Sequence, residues 1–279
     1  MHRKSERPLD GSPLPISSVL EEAASSGLAL GDLPGNTAKI RLIIDLAGQV
    51  SAASRTRVLD VGAGGKFFPF NLWEPFLPYA GVMELCGIDL AHLDATAARA
   101  AEIGFPVDLR PGSVHSIIDI FGRDGFDAIV STQVLEHLRD WKGAVEEMAH
   151  SLRPGGTLYL TCDSGDLALP APRKLRLAAK CTYARVAEVA PALRRSAERV
   201  LSGEWEKAPT LAQLREHALR LGLEVEAIRH YGVRELKATS RDFDSDARLH
   251  WFALEEQLVS CDPGAYTLLY LRARRPLHL

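Results

Sequence analysis

Four cysteines in 279 residues, Cys86, Cys162, Cys181 and Cys261, stand far apart and form no C-x-x-C pair. That spacing excludes a disulfide framework and a cysteine zinc site. They read as small buried hydrophobes of a reducing compartment. No run approaches the ~20 apolar residues that a membrane-spanning helix needs. Met1 to Pro15 carries charges and prolines in place of an apolar signal core. An excess of one charge sign is also missing: 33 basic against 36 acidic side chains leave a net charge of −3. No global field therefore draws in nucleic acid or an anionic membrane. No carboxylate set at metal-ligand spacing is visible, and there is no internal repeat. These absences lead us to expect a soluble, cytoplasmic protein with no membrane anchor, no nucleic-acid partner and no metal.

What is present is ordinary globular material, 46% hydrophobic and 25% charged, enough for a sizeable core. A helix is expected over Asn36–Ala52, with Ile40, Ile43, Ile44 and Leu46 on its apolar face. From Arg57 short apolar runs alternate with helical stretches. Arg57–Val61, Leu85–Leu90, Val107–Arg110, Asp127–Ser131 and Thr157–Thr161 read as strands, with helices at Asp94–Glu102 and Trp141–Leu152 among them. Such alternation predicts an α/β fold with a parallel sheet covered on both faces. Thr210 and Gln213 have capping-box spacing for a later helix that Gly222 would end. Leu223–His230 reads as a strand near the sheet edge, and Tyr266–Arg272 as the final strand. The expected organisation is a leader and helical extension over 1–55, then one domain over 56–279. That domain is interrupted by helical insertions at about 165–208 and 232–264.

The chemistry concentrates in four blocks. Val58-Leu59-Asp60-Val61-Gly62-Ala63-Gly64-Gly65-Lys66 runs a strand into glycines that let backbone approach a ligand closely. A nicotinamide fingerprint would need glycine at position 67, where Phe67 stands. Asp89 ends the second strand, either to accept ribose hydroxyls or to cap a helix. Phe126 to Leu138 is a strand entering a polar loop, and Leu152-Arg153-Pro154-Gly155-Gly156-Thr157-Leu158 is a helix end, a tight turn and a new strand.

In that order, DxGxG, the strand-end acid, FDxIxSxxVLEHL and LRPGGxL, the chain resembles class I S-adenosylmethionine-dependent methyltransferases of the small-molecule type, over roughly Arg57 to Thr161. The resemblance implies a Rossmann-like sheet of seven mostly parallel strands, the last antiparallel, with helices on both faces and helical lid insertions. It implies S-adenosylmethionine as cofactor, with Gly62, Ala63 and Gly64 at its methionine portion and Asp89 at its ribose. Ser113 and Val114 would flank adenine and Gln133 would lie under the methionine end, with Asp60 and Leu90 as further contacts. It departs from the pattern at Lys66, where a third glycine is usual, and in the proline-rich interval to Asp89, where Pro69, Pro75 and Pro78 leave room only for a short or displaced helix. Phe67, Phe68, Phe70, Trp73, Phe76 and Tyr79 in that interval are either a hydrophobic plug or a pocket wall.

Methyl transfer to an alcohol or phenol releases a proton, which a nearby base can take. His137 is the first candidate, since histidine ordinarily titrates near neutrality; Asp163, after the fifth strand, would orient it. The alternatives are that His137 packs near the cofactor and that Asp163 caps a helix. The stretch Pro172–Leu201, with Arg173, Lys174 and Arg176 among its cations, is either a solvated lid or a surface for an anionic or lipidic acceptor. The expected activity is methylation of a small molecule, at oxygen by preference. A cofactor-binding module without turnover and a methyltransferase acting on protein or nucleic acid are the alternatives. A homo-oligomer is compatible with all of them.

Overall fold

The computed structural model describes residues 37–51, 53, 55–64, 72–167, 208–233, 252, 255–256 and 266–277. Both insertions fall largely outside the described residues, as do Lys66, Phe67, Phe68 and Phe70.

Seven strands form one sheet in the order β3-β2-β1-β4-β5-β7-β6. They are β1 (Thr56–Val61), β2 (Met83–Asp89), β3 (Val107–Pro111), β4 (Phe126–Thr132), β5 (Leu152–Asp163), β6 (Glu224–Val233) and β7 (Tyr266–Arg274). The pairs among β1 to β5 are parallel, whereas β7 runs antiparallel to both β5 and β6. Parallel strands buried on both faces must be apolar throughout, and β1 and β4 are buried along nearly all their length. The helices are α1 (Thr37–Ser51), α2 (Leu93–Ile103), α3 (Ile117–Phe121), α4 (Trp141–Ser151) and α5 (Leu211–Arg220). The expected α/β class, the seven-stranded sheet and its antiparallel last strand are all present.

Two cores lie on opposite faces, as the alternation along β4 requires. Ala128 and Val130 join α1, Trp73 and Phe76 in one core. Ile129 joins Leu158 of β5, Val145 and Met148 of α4 and Leu214 of α5 in the other. Burying each Leu, Ile or Val of such a cluster stabilises the fold by ~1.5–3 kcal/mol. The helix α1 is buried almost all the way round, which takes Arg41 and Asp45 inside with it. Those charges are matched in place. Asp45 accepts from Arg41 and from the Tyr270 hydroxyl (2.5 Å), with Arg272 at 3.1 Å. Glu256 accepts from Arg229 (2.9 Å) and Tyr231, with Arg41 at 3.9 Å.

Local details follow the chemistry of the segments. Thr210 and Gln213 form the expected capping box, and Gly222 takes a φ of 75° just beyond α5. Among the described residues no α-helix separates β1 from β2; a 3-10 turn at Glu74–Tyr79, opened by Pro75, replaces it. The expected second strand ended at Leu90, but β2 ends at Asp89 and Leu90 is 78% exposed. The fifth strand begins at Leu152 instead of Thr157. Its register shift opposite Phe126–Ala128 accommodates the Pro-Gly-Gly turn as a bulge. Among the described residues no helix is long and apolar enough to cross a membrane.

Candidate functional site

Ligands in such sheets bind beyond the carboxyl ends of the strands, and a cavity of about 490 Å³ opens there, within the range of small-molecule sites. It is lined by the ends of β1, β2 and β4, by the turns that follow β3 and β4, and by Lys39 of α1. It gathers Asp60, Gly62, Ala63, Gly64, Asp89, Leu90, Ser113, Val114, Gln133 and His137. Ten of the eleven expected site residues therefore share one cavity. Asp163 is not among the lining residues.

The glycine turn is tied down by the protein itself. Gly62 and Ala63 both donate to the Ile88 carbonyl, Gly64 donates to Asp89 Oδ2 at 2.9 Å, and Thr96 donates to the Ala63 carbonyl at 2.7 Å. Gly62 has a φ of +87°, and a Cβ there would lie 2.4 Å from Val134. A Cβ on Gly64 would lie 2.0 Å from the Ala91 carbonyl oxygen. The bare Cα positions thus serve the fit between loop and strand ends, whereas the sequence had pointed to ligand approach alone.

Asp89 is not a helix cap. The residue capping α2 is His92, which makes no side-chain cap bond. Asp89 instead accepts from Gly64 through Oδ2 and from Ala91 through Oδ1 at 3.1 Å. Each carboxylate oxygen has a second lone pair, so the group can hold the loop and still accept hydroxyls from the cavity. Ser113 caps the turn that follows β3, accepting from the His115 N–H at 3.2 Å. Gln133 has a φ of 57° and donates its N–H to the Thr161 carbonyl at 2.8 Å. Its side-chain Nε2 is buried with no hydrogen-bond partner, so the donor is free to meet a ligand.

The charges behind the floor are unusual. Asp60 accepts from Trp73 Nε1 at 2.6 Å. Burial pushes its carboxyl up to about 6; the Trp73 bond and the Lys39 ammonium oppose that rise and Asp89 adds to it. Burial lowers Lys39, against the charges of Asp60 and Glu136. Glu136 is pushed up to about 8, chiefly by burial, with the charge of Asp163 adding to it. Lys39 and Glu136 were not singled out from the sequence, and Trp73 was marked only as part of a plug or pocket wall. A lysine within a largely apolar helical run that also holds Arg41 and Asp45, and an acid beside His137 in VLEHL, were the available signals. Trp73 and Phe76 are buried in the core and pack against one another with tilted rings, centroids 5.6 Å apart, which supports the plug reading for these two; Trp73 also borders the cavity. Among the described residues no group of three or more His, Cys, Asp or Glu side chains could hold a metal ion.

The cavity fits an adenosyl sulfonium with an amino-acid tail. Its lining offers the Asp89 carboxylate for a ribose, the orphaned Gln133 amide donor, the Lys39 ammonium and the buried Asp60 carboxyl.

Comparisons agree with this geometry. A family model described as "Methyltransferase domain" matches residues 59–160. Ubiquinone biosynthesis O-methyltransferase of Xylella fastidiosa (strain 9a5c) is 36% identical over 119 residues, 41% of this chain and 45% of the relative. The enzyme of that name from Methylobacterium sp. (strain 4-46) is 32% identical over 104 residues, 37% of this chain and 39% of the relative. The match thus spans less than half the length of these relatives. Among solved structures, phosphoethanolamine N-methyltransferase 2 of Haemonchus contortus in complex with S-adenosyl-L-methionine superposes with a TM-score of 0.53 at 16% identity, covering 85% of this chain and 52% of that one. The cyclase SpnF superposes with a TM-score of 0.51 at 18% identity, covering 94% and 93%. At such identities the likeness is one of fold, and a fold hosts several chemistries.

Proposed function

We propose, from the match of residues 59–160 to a methyltransferase domain, that the chain transfers a methyl group from S-adenosylmethionine to a small-molecule acceptor, at oxygen. The carrying observation is the single cavity that joins Gly62–Gly64, Asp89, Gln133 and His137 at the strand ends. The relatives named as O-methyltransferases support the choice of oxygen.

When bound, the cofactor supplies an electrophilic methyl on a sulfonium. The chain's own residues do the rest. Asp89 receives the ribose hydroxyls while keeping the Gly64 and Ala91 N–H groups. Lys39 and the Gln133 amide meet the amino-acid tail, and Val114 and Ser113 flank the base. Held in line with the methyl, the acceptor reacts with little further ordering. In this reading His137, on the cavity wall, accepts the acceptor's hydroxyl proton at a ring nitrogen. Asp163 ends β5 and contributes through Glu136, on which its backbone and charge act. The relatives' part in ubiquinone biosynthesis supports a lipidic acceptor, and the basic stretch Pro172–Leu201 would help receive it.

Calorimetric titration with S-adenosylmethionine and S-adenosylhomocysteine tests the site. Both should bind wild type, and Asp89→Ala should lose both; a folded wild type that binds neither overturns the proposal. With acceptor in hand, His137→Ala should lower kcat by ~10²-fold or more, and a wild-type rate would remove His137 from the mechanism. Cofactor binding without turnover of any acceptor would favour a binding module.

A further inference from the structure

Glu136 does not itself line the cavity but sits just behind its lining, its chain neighbours Val134, His137 and Leu138 bordering it. It is only 5% exposed, and its Oε2 has no hydrogen-bond partner. The groups facing it are Asp163 and Cys162 from β5 and Lys39 from α1, and backbone hydrogen bonds from Glu136 itself and Asp163 favour its ionised form without offsetting its burial. Asp163 adds negative charge. The Cys162 thiol is itself pushed well up by burial, with Glu136 and Asp163 adding to the rise. Lys39 is shared with Asp60, beside which Asp89 adds a further negative charge. Among the described residues behind the cavity, then, the acidic groups outnumber the one ammonium that serves them. An isolated buried carboxylate is costly and keeps its proton unless positive charge is brought near.

In the proposed function, on which this inference rests, the two ligands of the cavity differ by one unit of charge. S-adenosylmethionine carries a sulfonium; S-adenosylhomocysteine carries a neutral thioether. We propose that Glu136 reads this difference: it holds its proton when the cavity is empty or contains the thioether, and releases it when a sulfonium enters. The O–H bond of the carboxyl breaks, the proton passes to solvent buffer, and the carboxylate stays as partner to the new cation. Once the methyl has left, that carboxylate faces a neutral thioether and takes up a proton again. Glu136 is thereby a specificity-determining residue that favours cofactor over product. By linkage, that preference grows as pH rises toward 8, because less work is then needed to ionise the group.

The test is calorimetry of wild type near pH 7.5 in phosphate and in Tris, whose different ionisation enthalpies give the number of protons exchanged with each ligand. S-adenosylmethionine should release a fraction of a proton and S-adenosylhomocysteine none. The ratio of their affinities should rise several-fold between pH 6.5 and 8.5. In Glu136→Gln both the proton difference and the pH dependence of the ratio should vanish. If that variant does not fold, infrared difference spectra of wild type decide: a protonated-carboxyl band should disappear with S-adenosylmethionine and persist with S-adenosylhomocysteine. Equal proton counts for the two ligands overturn this inference and leave the proposed function standing, as does a difference that survives in Glu136→Gln. If neither ligand binds, both are overturned.

Discussion

Two sides of α1 treat buried charge in opposite ways. Toward β7, Asp45 is surrounded by Arg41, Arg272 and the Tyr270 hydroxyl, and its carboxyl is held below the usual range although burial alone would raise it. Toward the cavity, Asp60 and Glu136 share Lys39 and rise to about 6 and about 8. One helix thus carries a charge-matched network, whose charges are settled on folding, and a deficient one whose charges wait for a partner. A charge-matched cluster can only hold the fold together. A group suspended near neutrality can respond to what binds, and such groups gather at functional sites.

The strongest way to break this contrast is Arg41→Ala. Removing the guanidinium leaves Asp45 and Glu256 short of a buried cation, and the expected loss is about 3–5 kcal/mol in urea denaturation. A loss under ~1 kcal/mol would mean that the network is not matched through Arg41.

Glu136→Gln should move stability the other way. Below pH 4.5, the ordinary value of the carboxyl, folded and unfolded chains are both protonated and the substitution changes little. Above it the unfolded chain ionises first, so the cost of Glu136 to the fold grows until pH reaches about 8, where it levels. At pH 7 the variant is expected to be more stable, by up to ~3 kcal/mol; equal stability at pH 4 and pH 7 would contradict the assigned environment. Asp45 gives the opposite sign. It contributes stability above its ordinary value of 3.8, which is lost as pH falls through its lower folded value. Acid unfolding of wild type below about pH 4 should therefore be steeper than that of Asp45→Asn.

Trp73→Phe sharpens the comparison more gently. It keeps a ring in the core but removes the donor from Asp60, which should cost ~1–3 kcal/mol and raise that carboxyl further, as NMR titration would show. Last comes Arg55→Ala. Arg55 pairs with Glu84 at 2.7 Å but is 76% exposed, and the expected change is below ~1 kcal/mol.

The sheet was legible because buried parallel strands must be apolar and short, and Arg57–Val61 and Asp127–Ser131 are both. Most of the lining of the candidate site was legible because glycines and strand-end polar residues recur at fixed points of a βαβ chain, as Gly62, Asp89 and Gln133 do here. Lys39 and Glu136 were not, since their importance comes from groups far along the sequence: Lys39 meets Asp60 and Glu136 only after α1 docks. The same holds for the bulge that starts β5 at Leu152, where Pro154 and Gly155 look like a plain turn until Phe126 and Leu152 pair. The role of Asp89 as a staple for Gly64 is equally a property of the folded loop.

The strand order has a consequence for assembly in time. In the sheet β6 touches only β7, and β7 alone joins it to β5. A chain emerging from the ribosome therefore completes residues 224–233 well before they have anywhere to pair. Until residues 266–274 arrive, the apolar edge of β5 stays open to any other strand. Halting synthesis before Tyr266 would thus remove two strands rather than one, and leave a sheet that ends on its most adhesive edge.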